Sequence, residues 1–524
     1  MKRLCVILAF AAIVFPAFPE VTFTIGNSGE PETLDPQLAF SLPEQRIEMA
    51  LFENLLTYDA KTGDPLPGLA ESWTPGKDGL TWTFTLRAGA VWSDGTPITA
   101  QMVVDSWLRA LNPDTGAPYA FLITDLIKGA AEYNAGKGSP QEVAIAAVDD
   151  HTFRLTTVSP SPYMPDLLPQ AAFAVLPMHM VTAHPKDWAT AASFVGNGPF
   201  LLSEWKPHGR IVLEKNPRYW DEKNVKIDRV VLLPVEDDDT AYAMYQKGTL
   251  DWSTSFPPAD KAAEARKIPD YVLSPALGTY YFEFNMTRPP FDDQRVRKAF
   301  AMAVSRSSLI GKLIPAGQVP AFTLAPPMAG RFPYAPPPGL DENVEKARKL
   351  LADAGFAGGK GFPKIRLLYN TNDQHRLIAE MLRDRWQQTL GVSVELVDQE
   401  WSTFLQTRRT AGLGGFDLVR AGWMADYRDP FAFLSLFESD NKVLNDSGYA
   451  SEAYDLLLRR SSTLADGPER MKTLQDAESM LVSQDAAILP LYFYVSQNLV
   501  NLSRWGGWYP NVLDIHPLKD IYRK

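Results

Sequence analysis

The sequence predicts an α/β protein of several domains, because of its length, its composition and the order of its elements. The chain has 524 residues, about three times the length of a typical domain, so two or three domains are expected. Its 45% of hydrophobic residues is enough to bury several cores. Segments that alternate apolar and polar residues are interleaved with segments of helical periodicity, and this order is typical of α/β layers.

The first half of the chain is rich in strand patterns. Residues 21–25 and 80–86 alternate apolar and polar side chains, which predicts half-buried strands. Apolar residues at helical spacing predict a helix over 44–56, and Thr99 is a candidate N-cap for a second helix that carries Trp107. Further strands are predicted at 152–157, 211–214 and 230–233.

From residue 289 onward, predicted helices and strands alternate. The predicted helices cover 293–304, 344–354, 374–390, 401–409 and 454–482. The predicted strands cover 365–369, 392–397, 417–421 and 487–495. A proline-rich segment over 315–338 interrupts this pattern and is predicted to be a loop.

The N-terminus has the pattern of a secretory signal peptide. Lys2 and Arg3 precede an apolar run over residues 4–15, which is shorter than the roughly 20 residues of a membrane-spanning helix. We expect residues 1–19 to be removed on export, which leaves a periplasmic protein that is not inserted in a membrane. A buried N-terminal strand or helix is the alternative interpretation.

Composition and motifs argue against several classes of function. The formal net charge is −11 and there is no basic stripe with interleaved aromatic residues, which disfavours nucleic-acid binding. The sequence lacks the catalytic motifs G-x-S-x-G, H-E-x-x-H and G-x-x-x-x-G-K-[ST]. The only cysteine, Cys5, lies in the predicted signal peptide, and His179 and His184 are not spaced for one helical face. We therefore expect a binding protein with no cofactor, metal or disulfide rather than an enzyme.

One segment after a short predicted strand combines two opposite charges with aromatic residues. It contains Arg420, Gly422, Trp423, Asp426 and Tyr427. An aspartate can pair with an ammonium group, an arginine can bind a carboxylate with two hydrogen bonds, and glycine lets another backbone approach closely. The aromatic rings can shield such pairs from water. The segment predicts a binding site for a zwitterion, and the alternative is a strand end at which Asp426 caps a turn.

The same segment, R-A-G-W-M-A-D-Y over residues 420–427, resembles the A-R-A-G-W-x-A-D-Y segment of periplasmic oligopeptide-binding proteins of the OppA type. These are family 5 extracellular solute-binding proteins of ABC importers. The resemblance extends over most of the mature chain, with its segments in the same order and at similar spacing. The other segments that carry it are 33–36, 92–97, 118–120, 216–221, 280–285, 291–297, 367–371 and 399–404.

The resemblance implies a bilobal periplasmic-binding-protein fold of class II, cluster C, with an extra inserted domain and a hinge between the lobes. The implied limits are 20–55, 195–285 and 490–524 for the discontinuous lobe I, 56–194 for the inserted domain and 286–489 for lobe II. The hinge strands are expected near Asn285 and Pro490.

The function that the resemblance implies is the capture of short peptides and their delivery to an ABC importer. An extended peptide of about two to five residues would bind largely through its main chain, as an added strand, with its side chains in hydrated pockets. The expected partners are the peptide and the membrane subunits of the importer, and the receptor is expected to be a monomer. A receptor for a dipeptide, murein peptide, opine or metal chelate is the alternative, followed by a secreted peptide hydrolase.

The resemblance also assigns ligand-binding residues one at a time. Asp426 matches the aspartate that binds the α-ammonium group of the peptide, and Arg420 and His375 match groups that meet its C-terminal carboxylate. Glu44 and Glu283 match acidic groups near the cleft. The other predicted ligand-binding residues are Tyr119, Asn370, Trp401, Arg408, Gly422, Trp423, Met424, Ala425 and Tyr494. His375 as an exposed histidine at a helix N-terminus and Trp401 as a core residue remain alternatives.

Overall fold

A computed structural model of the chain describes residues 20–39, 41–255, 257–258, 261–313, 317–330, 333–409, 415–441 and 444–524. The predicted signal peptide, residues 1–19, lies outside these residues. No helix within the described ranges is long and apolar enough to span a membrane.

Strands and helices alternate along the chain, as the sequence pattern predicts. The strands are Thr22–Gly26 (β1), Leu56–Tyr58 (β2), Pro65–Pro67 (β3), Ala70–Pro75 (β4), Thr81–Leu86 (β5), Ile145–Asp149 (β6), Thr152–Thr156 (β7), Phe200–Lys206 (β8), Arg210–Lys215 (β9), Arg229–Leu233 (β10), Trp252–Ser253 (β11), Tyr271–Phe284 (β12), Val319–Pro320 (β13), Ile365–Asn370 (β14), Val394–Gln399 (β15), Leu418–Met424 (β16), Ile488–Val500 (β17), Trp505–Gly506 (β18) and Tyr522–Arg523 (β19). The α-helices are Leu42–Leu51 (α1), Ala100–Leu111 (α2), Ala120–Thr124 (α3), Ala130–Asn134 (α4), Met164–Leu167 (α5), Met178–Ala183 (α6), Asp238–Gln246 (α7), Ala262–Ala265 (α8), Gln294–Met302 (α9), Arg306–Leu313 (α10), Val344–Asp353 (α11), Asp373–Leu390 (α12), Trp401–Arg409 (α13), Phe431–Leu434 (α14), Glu452–Thr463 (α15) and Pro468–Ser479 (α16).

One mixed sheet runs through the molecule. Within the described residues it has eleven strands, in the order β15-β14-β16-β12-β17-β11-β1-β10-β9-β8, with β13 paired to β17 outside this row. β14 and β15 are parallel, as are β1 and β10, whereas β12 is antiparallel to both β16 and β17. The large mixed sheet, interleaved with helices along the chain, confirms the predicted α/β class.

Two long strands connect the halves of this sheet. β12 has 14 residues and β17 has 13, and they pair with each other along most of their length. Their register breaks between Pro275 and Thr279. On the side of the break nearer the start of β12, β17 also pairs with β11. On the other side, β12 also pairs with β16. The sheet therefore passes from one half to the other near this break. The register shifts a second time between Tyr280 and Tyr281, where Tyr281 pairs with the predicted hinge residue Pro490, and the other predicted hinge residue, Asn285, directly follows β12.

Alternation along β12 separates two hydrophobic cores. Tyr280, Phe282 and Phe284 join buried residues of β14 and α12 on one face of the sheet. Leu277 and Tyr281 join buried residues of α15 and α16 on the other face. Because successive side chains of a strand point to opposite faces, one strand anchors both cores and fixes the sheet between two layers of helices.

A second, antiparallel sheet lies within the predicted inserted segment, residues 56–194. Its strand order is β4-β5-β7-β6, and α2 covers it. Trp107 of α2 is fully buried, its ring lies 5.0 Å from that of Phe153, and its Nε1 donates a 3.0 Å hydrogen bond to the carbonyl oxygen of Phe173. The buried side chains of this sheet and those of β1 and β10 belong to one continuous core, so the inserted segment packs firmly on the first half of the large sheet.

Two predicted helices are wrong in extent. The helix predicted over 454–482 is two helices, α15 and α16, because Gly467 and Pro468 separate them. Proline has no N–H to give to a preceding turn and is favoured at the first position of a new helix. The helix predicted over 44–56 ends at Leu51, and the apolar residues that follow belong to β2 and the core beneath it.

Candidate ligand-binding cleft

A cavity of about 380 Å³ brings together predicted site residues that are far apart in the sequence. Its walls come from α1, from the segments 56–58 and 169–174, from the end of β16 and from the C-terminal segment 513–519. Tyr119, Met424, Ala425 and Asp426 all line it. A cavity of this size is in the range of small-ligand sites.

Asp426 is an acidic group without a cationic partner at one end of the candidate site. It follows β16, and its own carbonyl oxygen is held by a hydrogen bond from Nε2 of Gln170. Among the described residues, no lysine, arginine or histidine forms an ion pair with the Asp426 carboxylate. Burial therefore raises the pKa of Asp426 above its ordinary value. The pKa of the nearby Tyr119 is raised by burial and by the charge of Asp426.

Arg420 is the opposite case, a cation surrounded by aromatic rings. Its guanidinium lies 4.8 Å from the ring centre of Tyr280, and its Nη2 donates a 3.3 Å hydrogen bond to the hydroxyl of Tyr494. The buried Nε has no hydrogen-bond partner, and no carboxylate of the described chain pairs with this side chain. Arg420 therefore has hydrogen-bond donors left for an anion.

His375 extends this cationic end of the site. It lies in the first turn of α12, and its Nδ1 is 3.2 Å from the hydroxyl of Tyr280. Burial and the positive charge of Arg420 lower the pKa of His375 to about 4. The imidazole is therefore neutral at neutral pH and can take part in hydrogen bonds without repelling Arg420. The interpretation of His375 as a solvent-exposed histidine does not fit these contacts.

The strand that carries Arg420 and precedes Asp426 has a free backbone edge. β16 pairs with β12 along its whole length, but β14 pairs only with Leu418 and Val419. On that side, the backbone from Arg420 to Met424 has no partner strand among the described residues. Unpaired N–H and C=O groups of this kind are a template for an added extended chain.

The spacing of Arg420 and Asp426 in the sequence limits how far apart their backbones can lie. Arg420 and Asp426 are six positions apart in the sequence, so at about 3.3 Å per extended residue their backbones are at most about 20 Å apart. An extended peptide of five residues is about 17 Å long, which lies within this upper limit. Arg420, Gly422 and Met424 lie on the same face of β16, because every second residue of a strand points the same way. A Cβ on Gly422 would lie 2.6 Å from the Tyr494 hydroxyl. Glycine at position 422 thus leaves room for the tyrosine that contacts Arg420.

Three predicted site residues have ion-pair or hydrogen-bond partners within the fold. Arg408 binds Glu283 at 3.1 Å and Asp446 at 2.7 Å. Burial raises the pKa of Glu283 above its ordinary value, and the charge of Arg408 opposes this shift. The Glu44 carboxylate accepts hydrogen bonds from the backbone N–H of Glu32 and from both the N–H and the hydroxyl of Ser41. None of Arg408, Glu283 and Glu44 is among the described side chains that line the cavity with Asp426.

The remaining predicted residues lie at the end of β14, at the start of α13 and on the far face of β16. Trp423 packs partly against the core on that face, with its buried Nε1 lacking a hydrogen-bond partner. Asn370 ends β14 and has a buried, unpartnered Oδ1. Trp401 opens α13, is 50% exposed and stacks on Phe404 at 5.7 Å, so it is not a core residue.

Sequence reasoning missed three residues that shape the cleft. Tyr280 contacts both Arg420 and His375, and Tyr492 stacks on Tyr280 at 4.8 Å. Glu48 of α1 lines the cavity that contains Asp426. The tyrosines lie on β12 and β17, and only the pairing of these strands reveals them. A signal for Glu48 does exist in the sequence, since an acidic residue on the buried face of an amphipathic helix is unusual.

Known proteins resemble this chain over most of its length. The family model of the bacterial extracellular solute-binding proteins, family 5 Middle, matches residues 64–445. Over 510 residues, the chain is 38% identical to the periplasmic oligopeptide-binding protein OppA of Escherichia coli K12, covering 96% of this chain and 92% of that protein.

Solved structures of relatives show the same fold. The unliganded open form of the periplasmic murein tripeptide-binding protein MppA gives a TM-score of 0.88 at 33% identity, with 97% of this chain and 98% of that chain covered. Haemophilus influenzae OppA in complex with the peptide RPPGFSPFR gives a TM-score of 0.70 at 31% identity, with 97% and 99% covered. The fold is therefore the bilobal fold of these binding proteins, and the chain belongs to the bacterial extracellular solute-binding proteins of family 5.

Proposed function

We propose that this protein is a periplasmic receptor that captures short peptides, about two to five residues long, and delivers them to an ABC importer. One observation carries the proposal: two partly buried groups of opposite charge, Asp426 and Arg420, lie without charged partners in the described chain at the two ends of a free strand edge. A free peptide supplies what this edge lacks, namely an α-ammonium group, a carboxylate and a ladder of main-chain hydrogen bonds.

The binding energy in this proposal comes from pairing charges that are unpaired in the empty cleft. The α-ammonium binds Asp426, and the terminal carboxylate binds Arg420, with His375 beside it for shorter or longer peptides. Each pair gains most of its strength after the cleft excludes water. Main-chain hydrogen bonds to the edge of β16 add affinity that is independent of the peptide sequence.

The conformation of the described chain supports capture by closure. Its TM-score is 0.88 with the unliganded open form of MppA and 0.70 with the peptide complex of Haemophilus influenzae OppA. We infer that the described form is the open one. The lobes close around the register break between Pro275 and Thr279, where the pairing of β12 and β17 is interrupted. The closed, peptide-filled form is the one that the importer recognises.

The relatives support the periplasmic location and the transport role. The similar proteins include the periplasmic OppA and MppA of Escherichia coli. The signal-peptide pattern of residues 1–19 agrees with export, and the receptor acts as a monomer. A receptor specialised for a murein peptide is the second candidate, because the chain is 36% identical over 488 residues to the periplasmic murein peptide-binding protein MppA of Escherichia coli.

Two measurements test the proposal. Mass spectrometry of the native preparation identifies the ligand that co-purifies, and calorimetry on unfolded, washed and refolded protein measures affinity for mixed tri- to pentapeptides. Recovery of ordinary short peptides and tight calorimetric binding is the expected result. Recovery of a murein peptide alone selects the second candidate. If neither ordinary nor murein peptides bind, the proposed function is wrong.

A further inference from the structure

Glu48 is a buried acid in the ligand cavity that has no bonding partner of its own. It lies on α1, is 3% exposed and lines the same cavity as Asp426. Both oxygens of its carboxyl group lack a hydrogen-bond partner among the described residues. A carboxyl group that is taken out of water and left unbonded costs free energy, and chains rarely keep one without a use.

The nearby cations are already engaged with other acids. Lys519 also lines the cavity, but its Nζ lies 3.6 Å from Oε2 of Glu53. Arg109 forms a 2.6 Å ion pair with Asp35. Burial raises the pKa of Glu48 well above its usual range, and the charges of Glu44 and Asp35 raise it further. The described surroundings of Glu48 therefore favour the neutral, protonated form of its carboxyl group over the negatively charged form while the cavity is empty.

Another buried glutamate in this chain shows what a structural role looks like. Glu478 is fully buried, and it accepts hydrogen bonds of 2.7 and 2.6 Å from the backbone N–H groups of Leu324 and Ala325. Its second oxygen accepts a 2.5 Å hydrogen bond from the hydroxyl of Tyr334. The fold thus gives Glu478 hydrogen bonds to both oxygens, whereas no described residue bonds to Glu48, so the Glu48 carboxyl can accept a partner from a bound ligand.

We propose that Glu48 forms a subsite for a basic side chain, so that the receptor prefers peptides that contain lysine or arginine. This inference rests on the proposed function of the cleft. The cavity wall beside Glu48 includes Met49, Phe52 and Leu518, which can pack against the aliphatic stem of such a side chain. The ammonium or guanidinium group then pairs with Glu48 in the way that the α-ammonium pairs with Asp426.

The test compares matched peptides on the ligand-stripped full chain. Calorimetry measures the affinities for Ala-Lys-Ala and Ala-norleucine-Ala. It also measures two further pairs of tripeptides, in which lysine or norleucine takes the first or the third position and alanine the other two. In the wild-type protein, lysine at one position binds about tenfold more tightly than norleucine, since hydrogen bonds to charged groups contribute about 1.5–3 kcal/mol. The isosteric variant Glu48→Gln abolishes that preference. Glu71→Gln, a change of the same charge at an exposed position outside the cavity, leaves the preference intact.

The possible outcomes separate this inference from the proposed function. If norleucine peptides bind and lysine has no advantage at any position of the wild-type protein, the basic subsite is wrong while the peptide receptor stands. The basic subsite is equally wrong if the lysine preference survives in Glu48→Gln. If no tripeptide binds the wild-type protein, the proposed function itself fails. The comparison of lysine with norleucine on the wild-type protein can refute the basic subsite by itself, even if Glu48→Gln fails to fold.

Discussion

Two arginines on neighbouring elements, Arg408 of α13 and Arg420 of β16, show how this molecule uses buried charge. Arg408 lies between Glu283 and Asp446, at 3.1 and 2.7 Å. Arg420 has aromatic neighbours and no carboxylate partner among the described residues. The two sites are close together, because Glu283 on β12 is paired with Val419, the residue before Arg420 on β16. The difference teaches that a satisfied charge here holds the fold, whereas an unsatisfied one is available to a ligand.

The acids on the following loop repeat this contrast. Asp429 binds the buried Arg470 through two hydrogen bonds of 2.5 and 2.9 Å. Asp426, three positions earlier in the sequence, has no cationic partner within the described chain and a pKa raised by burial. One short loop thus contains both an acid that is paired within the fold and an acid to which the proposed function assigns the α-ammonium group of the peptide.

The largest effect is expected on stability, from removing the satisfied arginine. Arg408→Met leaves Glu283 and Asp446 buried without their shared cation, which lowers the free energy of unfolding by about 3–5 kcal/mol. The matched variant Arg420→Met removes a cation that has no carboxylate partner in the described chain, so its free energy of unfolding changes by less than about 1 kcal/mol. Urea denaturation followed by tryptophan fluorescence measures both. Equal losses in the two variants would remove the distinction between the arginines.

A smaller effect is expected on affinity, from the same Arg420→Met variant. Loss of the hydrogen bonds to the peptide carboxylate weakens binding by about 1.5–3 kcal/mol, which is roughly ten- to a hundredfold in Kd. The control is a peptide whose C-terminus is amidated, because it has no carboxylate to lose. Calorimetry is expected to show that amidation weakens binding to the wild-type protein and leaves binding to the variant nearly unchanged. A variant that still discriminates against the amide contradicts the role given to Arg420.

The smallest effect concerns His375. Because burial and Arg420 lower its pKa to about 4, it is neutral at pH 7, and His375→Gln costs the peptide affinity only about 0.5–1.5 kcal/mol. The folded state resists protonation of His375 more than the unfolded state does. Stability from this group is therefore present above the ordinary histidine pKa of about 6.5 and is lost as the pH falls towards 4. An NMR titration, assigned by the variant, that gives His375 an ordinary pKa would contradict this account.

The sequence predicts the strongly periodic elements well and the contacts between distant elements poorly. The helix predicted over 401–409 is found at those residues, because its amphipathic pattern is unbroken. The strands predicted over 417–421 and 487–495 continue to Met424 and Val500. Their last residues are polar or irregular in pattern, yet the pairing with neighbouring strands extends them. Tertiary pairing decides a strand's length where the local pattern is weak.

The same limit applies to the site. Arg420 and Asp426 lie in one segment, and that segment with its resemblance to the family is enough to single them out. Whether a charged residue is paired or unpaired depends on side chains far away in the sequence, as with Arg408 and its partner Glu283, and no local pattern contains that information. Glu48 can be recognised as unusual on its helix, but only the folded cavity shows that its carboxyl group has no partner among the described residues.

The most direct test of the central claim is the coupling between Asp426 and the α-ammonium group of the peptide. Calorimetry would measure a free tripeptide and its N-acetylated form on both the wild-type protein and Asp426→Asn. We predict that acetylation weakens binding to the wild-type protein by about 2–5 kcal/mol, because it leaves Asp426 enclosed in the cleft without a cation, and that it has almost no effect on the variant. Equal acetylation penalties in the two proteins would show that Asp426 does not bind the peptide N-terminus.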